Sequence, residues 1–127
     1  MGGPISMEGS MANQQVRSLD APDQVLTMEY GKIAIVHIAG GGVGRASFQP
    51  GWKWSEHEKP VVGGGAYCEA PHFVYLASGQ LHVVMADGSE FDLKEGDIAT
   101  IPAGHDGWVV GSKPVTMLDF GGVARPF

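Results

Sequence analysis

The apolar and polar positions of this chain follow a two-residue period punctuated by glycine, not the 3.6-residue period of a helix. Residues 32–38 (KIAIVHI) are almost continuously apolar and β-branched, as expected of a strand covered on both faces. Before them, residues 24–30 alternate loosely up to a break at Gly31. After them, Gly40-Gly41-Gly42 supplies a turn, and residues 43–49 set Arg45, Ser47 and Gln49 against Ala46 and Phe48. The clearest pattern lies in residues 71–108. Strands at 72–78 and 80–86 flank Gly79, and an Asp87-Gly88 turn leads into a strand at 89–93. Glu95-Gly96-Asp97 then precedes a strand at 98–101, and Pro102-Ala103-Gly104 forms a corner. Asp-Gly between apolar runs is the strongest short-range hairpin signal, because both residues tolerate positive φ. Further short strands are expected at 109–110 and 114–120. No stretch reads as a helix of more than eight residues. Such spacing predicts an all-β sandwich or barrel.

Composition narrows the class. A chain of 127 residues with 20 Gly and 8 Pro fits one turn-rich domain. Residues 1–10 (MGGPISMEGS) read as an expression scar, with a second start at Met11, which leaves 11–127 as the β-barrel domain. The net charge is −6, and the 8 Lys and Arg do not cluster, so nucleic acid is not an expected partner. No apolar run approaches the ~18 residues of a membrane span. The single cysteine, Cys68, excludes an internal disulfide and fits a reducing cytosol, so a cytoplasmic location is expected. Open edge strands favour a homodimer, since pairing hides an edge. A polar segment at 12–23 could add a front strand to a partner chain.

Candidate chemistry centres on three histidines, His57, His72 and His105, on separate elements that a small barrel brings together. Neutral imidazole is the commonest ligand for divalent transition metals. Three protein ligands with an open position make a catalytic rather than a structural site. Cys68, Glu56 and Glu58 are further donors or general bases. His72 shares a face with Val74 and Leu76, where an unsatisfied polar group costs ~1–3 kcal/mol, and a metal would supply a partner. If residues 51–59 stay extended, Lys53, Ser55 and His57 share one face, and Trp52, Trp54 and Glu56 the other. Trp54 and Trp108 adjoin the ligand segments and are expected to line a pocket. Glu56 and Tyr75 are proton-transfer candidates, as is Asp119 if its strand turns it inward. His37 reads as a core or interface histidine, and His82 as structural. The competing reading is that each histidine hydrogen-bonds backbone or water. A Cys68–His72 nucleophile pair is a further alternative, although the neighbouring Glu69 works against a thiolate.

The order of strands, Gly79, Asp87-Gly88, Gly96-Asp97, Ile101-Pro102 and Gly104 resembles the core of a cupin, a small jelly-roll barrel (double-stranded β-helix). The segment ending at Gly79 resembles the first cupin motif, G-x5-H-x-H-x3–4-E-x6-G. Gly96 to Gly104 resembles the start of the second, G-x5-P-x-G-x2-H-x3-N. Aligning the first motif puts its Glu position on His72, its second His on Cys68 and its first His on His57, with an insertion at Gly63-Gly64-Gly65. The second motif puts its His on Gly107, with His105 two residues earlier and on the same face if extended. The resemblance covers about two-thirds of the chain. It implies a single barrel holding one divalent transition metal (Fe, Zn, Ni, Mn or Cu) at His57, His72, His105 and Cys68, acting on a small organic molecule. The family hosts dioxygenases, lyases, isomerases and hydrolases, so the resemblance selects no reaction. A metal-free cupin, binding a metabolite as a sensor or using His and Glu for acid–base chemistry, and an interaction module without pocket chemistry are the other classes.

Overall fold

The computed structural model describes residues 14–123. Nine strands follow one another: β1 (Gln24–Met28), β2 (Gly31–Ile38), β3 (Gly41–Phe48), β4 (His72–Ser78), β5 (Gln80–Met85), β6 (Glu90–Lys94), β7 (Ile98–Ile101), β8 (His105–Val109) and β9 (Val115–Asp119). Between β3 and β4 a π-helical turn, Trp54–Glu58, runs into a one-turn helix, α1 (Lys59–Val62). All strand pairs are antiparallel. They form a six-stranded sheet of order β1-β2-β3-β9-β4-β7 and a three-stranded sheet of order β6-β5-β8. The core lies between the sheets, where Val74 and Leu76 of β4 meet Leu81 and Val83 of β5, Leu93 of β6 and Val115 of β9.

The expected strands are present, with three differences in their turns. The β1–β2 turn is Glu29-Tyr30, with Tyr30 at φ 62, so β1 ends before Tyr30. The β2–β3 turn is Ala39-Gly40, both at positive φ, and Gly41 and Gly42 belong to the ladder. β8 begins at His105, four residues before its expected start, because Gly104 (φ 89) and Pro102 complete the corner early. The polar segment 14–18 forms no strand. It lies against its own chain, where Gln15 Oε1 accepts from the Ala39 amide (2.7 Å) and Arg17 donates to the His37 carbonyl (3.0 Å).

Gly79 joins a positive φ to a close backbone approach. β4 and β5 are not a hairpin, because the chain leaves one sheet and enters the other at this residue. Its φ is +85, and a Cβ there would come within 2.5 Å of the Pro114 carbonyl oxygen. Only glycine combines that dihedral with that approach.

Candidate metal centre

Three elements converge at one end of the barrel. Cys68, in the loop before β4, forms a two-residue bridge to the start of β8: its amide donates to the His105 carbonyl (2.8 Å), and its carbonyl accepts from the Gly104 amide (2.7 Å). His72 opens β4 and pairs with Ile101. His105 opens β8 and is the buried polar residue of the core, at 7% exposure. One ligand atom from each of Cys68, His72 and His105 lies within 4.8 Å of the other two. The two imidazole rings sit edge to face, with centroids 5.0 Å apart.

Both rings have one nitrogen already committed. His72 Nδ1 is 2.5 Å from Asp119 Oδ2. His105 Nδ1 is 2.8 Å from the Pro102 carbonyl oxygen, an acceptor only, so that nitrogen carries the hydrogen. The same assignment at His72, with Nδ1–H donating to the carboxylate, leaves Nε2 of both rings for the cluster. His72 Nε2 is 3.8 Å from Cys68 Sγ. Asp119 is itself fixed, because its Oδ1 accepts from the Gly121 amide at 2.8 Å. A carboxylate or carbonyl behind the ring is how a metal-bound histidine is ordinarily oriented.

The charges are coupled. Burial alone would raise the Cys68 thiol, but hydrogen bonds from His105 and His72 outweigh it and bring the pKa down to about 6. Burial would lower His72, but Asp119 and then Cys68 outweigh it and raise its pKa to about 9. Glu58, at the end of the π-helical turn, is pushed up to about 7, first by burial and then by the Cys68 thiolate. A divalent cation among these groups would reverse the direction for Glu58.

His72 and His105 of the cluster form part of the wall of a cavity of about 80 Å³. The remaining wall is mainly apolar, including Ile33, Phe48, Trp54, Leu81, Val83 and Met117. Glu58, His72 and Asp119 also border a more open depression of about 350 Å³, lined in addition by Leu26, Ile35 and Pro71. No Lys or Arg lines either space among the described residues.

Several expected site residues lie elsewhere. His57 is not in the cluster: its Nδ1 accepts from the Lys53 amide (3.0 Å), its Nε2 faces Glu29 (3.8 Å), and its ring packs edge-on against Tyr30. The cause is the helical turn, which replaces the extended stretch expected at 51–59. With four residues or so per turn, Trp54 and Glu58 share the inner side, while Glu56 is exposed. Glu58 is therefore the cavity carboxylate, and Glu56 is not. Tyr75 points outward from β4 at 38% exposure, opposite His72, Val74 and Leu76. Trp108 lies on the outer face of β8, its ring 4.8 Å from that of His82 and 5.1 Å from Lys53 Nζ, and lines no part of the cavity. His37 is exposed rather than in a core. Asp119 turns inward and Trp54 lines the cavity. Gly107 also lines it, on the same face as His105. A side chain at 107 would begin 3.1 Å from the His82 carbonyl, so the position fits glycine better than a ligand.

The model of the EutQ-like cupin domain family matches residues 52–116, which carry Trp54, Glu58, Cys68, His72 and His105. The chain belongs to that cupin family. Solved structures of similar fold agree. An oxalate decarboxylase from Lactobacillus farciminis, in a formate complex, is 20% identical with a TM-score of 0.56, covering 76% of this chain and 30% of that one. A cupin-superfamily sugar phosphate isomerase from Silicibacter pomeroyi is 24% identical with a TM-score of 0.52, covering 72% and 58%. A cupin domain from Schizosaccharomyces pombe is 13% identical with a TM-score of 0.56, covering 80% and 69%. This cupin thus spans about a third of the length of the oxalate decarboxylase it matches, and these likenesses concern the fold. No curated protein matches the sequence. Among the described residues, no helix is long and apolar enough to cross a membrane.

Proposed function

We propose that this cupin is a metal-dependent enzyme acting on a small, mostly apolar organic molecule, with the ion held by Cys68, His72 and His105. One observation carries the reading: two imidazoles that line a cavity, each with Nδ1 committed to an acceptor, have their other nitrogen grouped with a cysteine sulfur. The donor set fits a divalent ion that accepts both thiolate and imidazole, and zinc meets that description best. A Bacillus subtilis oxalate decarboxylase of similar fold has Mn(II) centres. Manganese prefers harder oxygen ligands, so the thiolate here favours a softer ion. When bound, such an ion polarises a carbonyl or lowers the pKa of a water molecule.

The chain's own residues have separate tasks. Asp119 fixes the tautomer and direction of His72. Glu58 borders both the cavity and the open depression beside it, and moves a proton at its carboxylate oxygen. The apolar wall excludes water and selects the substrate. A volume of about 80 Å³ is far below the ~300 Å³ at the lower end of ordinary ligand pockets, so the enclosed part of the substrate is only a few heavy atoms. The absence of Lys and Arg among the described lining residues argues against a phosphorylated sugar or a dianion as substrate. Elemental analysis of untagged protein never exposed to chelator tests the reading. About one equivalent of zinc, lost in Cys68→Ala, is expected; no metal in the wild type refutes it.

A second reading rests on a specific geometry. Cys68 Sγ, His72 and Asp119 stand in the order nucleophile, base and orienting carboxylate, at 3.8 and 2.5 Å. Protein isolated without chelator that carries no metal, yet whose Cys68 is alkylated by iodoacetamide within minutes at pH 7, would favour this covalent chemistry over the metal centre.

A further inference from the structure

We infer that the Trp54 indole N–H is a ligand-binding donor, taking a carbonyl or carboxylate oxygen of a small, otherwise apolar molecule seated in the barrel cavity. The inference deepens the reading above, since it needs an organic ligand in that cavity, but it does not depend on the ion.

Two tryptophans two residues apart treat their N–H groups differently. Trp52 and Trp54 are both 4% exposed. Trp52 stacks on Phe48, with ring centroids 3.7 Å apart, and its Nε1 donates to Met28 Sδ at 3.4 Å. Trp54 Nε1 is fully buried and meets no acceptor among the described residues. Buried polar side-chain atoms nearly always have a partner, so an exception beside a cavity calls for an explanation.

The ring is held where it is. Trp54 opens the π-helical turn, and its carbonyl accepts from the Lys59 amide. The next residue is tied to β8, because the Ser55 amide donates to Asp106 Oδ1 at 3.1 Å. Trp54 lines the cavity together with hydrocarbon side chains such as Leu81, Val83 and Ile101. Glu58, His72, His105 and Asp119 also line the cavity, but none is a hydrogen-bond partner of Trp54 Nε1, which leaves an oxygen of a bound molecule to serve as its acceptor. That sets the ligand class: an oxygen acceptor for Trp54 and an apolar body small enough for about 80 Å³, with its reacting end toward His72, His105 and Glu58. A π-helical turn at this point follows a wider pattern, as such turns recur at functional sites.

The test uses 15N-labelled full-length protein, with the Trp54 indole signal assigned from Trp54→Phe and Trp108→Phe. The probes are acetate, propionate and isobutyrate, with xenon as an apolar occupant that carries no acceptor. At least one carboxylate is expected to move the Trp54 indole proton downfield and to bind Trp54→Phe about tenfold more weakly. Xenon is expected to bind both proteins alike. If none of the three carboxylates moves the indole proton, or if Trp54→Phe binds them within twofold of wild type, the inference is overturned. Should Trp54→Phe fail to fold, the indole shift in the wild type, assigned from Trp52→Phe and Trp108→Phe, decides alone. Zinc content measured on the same samples separates the two ideas. Full zinc with an unmoved indole removes only this inference, whereas a shifted indole without zinc removes only the metal reading.

Discussion

Asp119 Oδ2 and His72 Nδ1, 2.5 Å apart, join the last strand of the barrel to the fourth. The contact is made possible by the β4–β9 pairing, which sets Val74 opposite Asp119 and so brings His72 within reach. It fixes which nitrogen of His72 is available to the cluster. Asp119→Asn keeps the shape but removes the charge, and the amide can present either end to the ring. Metal affinity is expected to fall by about 10–100-fold, as for other carboxylates behind a metal-bound histidine. A competition titration with a chromophoric chelator measures it, and an unchanged affinity would show that Asp119 is not orienting His72 for an ion.

Cys68 tests the same centre through its sulfur. Its thiol is brought down to about 6 by hydrogen bonds from His105 and His72 that overcome burial, so the metal-free protein should alkylate readily at neutral pH. Stoichiometric zinc should protect it, slowing the reaction with iodoacetamide by at least tenfold. Mass spectrometry of chelated and zinc-loaded protein reads both rates. Equal rates would mean that the sulfur is not a ligand.

Gly79→Ala probes the passage between the sheets. The substitution forces a Cβ onto an alanine at φ +85 and within 2.5 Å of the Pro114 carbonyl. Strain of that kind costs roughly 1–3 kcal/mol before any clash is counted. A loss of about 3 kcal/mol is expected, visible as a lower urea midpoint with an unchanged slope. A variant within 0.5 kcal/mol of wild type would show that the backbone relaxes there.

His82 carries the clearest pH dependence away from the site. On the outer face of the three-stranded sheet its Nδ1 lies 2.5 Å from Asp92 and its Nε2 2.7 Å from Glu90. Asp92 first, and then Glu90, raise its pKa above the ordinary value. A histidine raised on folding contributes stability that is fully present below its unfolded pKa of about 6.5 and is lost as pH rises through the folded value. The melting temperature of wild type should therefore exceed that of His82→Gln at pH 5.5, and the gap should close toward pH 9. Because the residues are exposed, 1 M salt should shrink it as well. A gap that widens with pH would contradict the pairing.

The barrel was legible because its strands obey a two-residue period and its turns carry glycine. Asp87-Gly88 and Gly96 fall where the pattern places them, with Gly88 and Gly96 at positive φ. The change of sheet at Gly79 was not legible, since one glycine between two apolar strands also describes a hairpin. In the candidate site, Cys68, His72, His105, Asp119 and Trp54 were visible as residue types on separate elements that a small barrel brings together. Residues 51–59 were not, because five or six residues are too few to separate an extended period from a helical one. Two local signals pointed the other way: Ser55-Glu56-His57-Glu58 has the spacing of a helix start, and Pro60 suits a first helical turn. The structure does not use Ser55 as a cap, yet the helical period is what keeps His57 out of the cluster and turns Glu58 toward the cavity.

That exchange can be tested with a pair of variants. Glu58→Gln and Glu56→Gln are the same chemical change two residues apart. Under the helical period only Glu58 borders the cavity, whereas Glu56 lies on the exposed side beside Lys53 and Trp108. Once a substrate is found, Glu58→Gln should lower kcat by about 10²–10⁴-fold, the usual size of a lost proton-transfer group. Glu56→Gln should stay within twofold. Zinc content should remain near one equivalent in both, because neither carboxylate belongs to the Cys68, His72 and His105 group. Loss of zinc in Glu58→Gln would make Glu58 a ligand instead of a proton carrier. Loss of turnover in Glu56→Gln would mean that residues 51–59 act in the extended arrangement, with the other face of the segment toward the substrate.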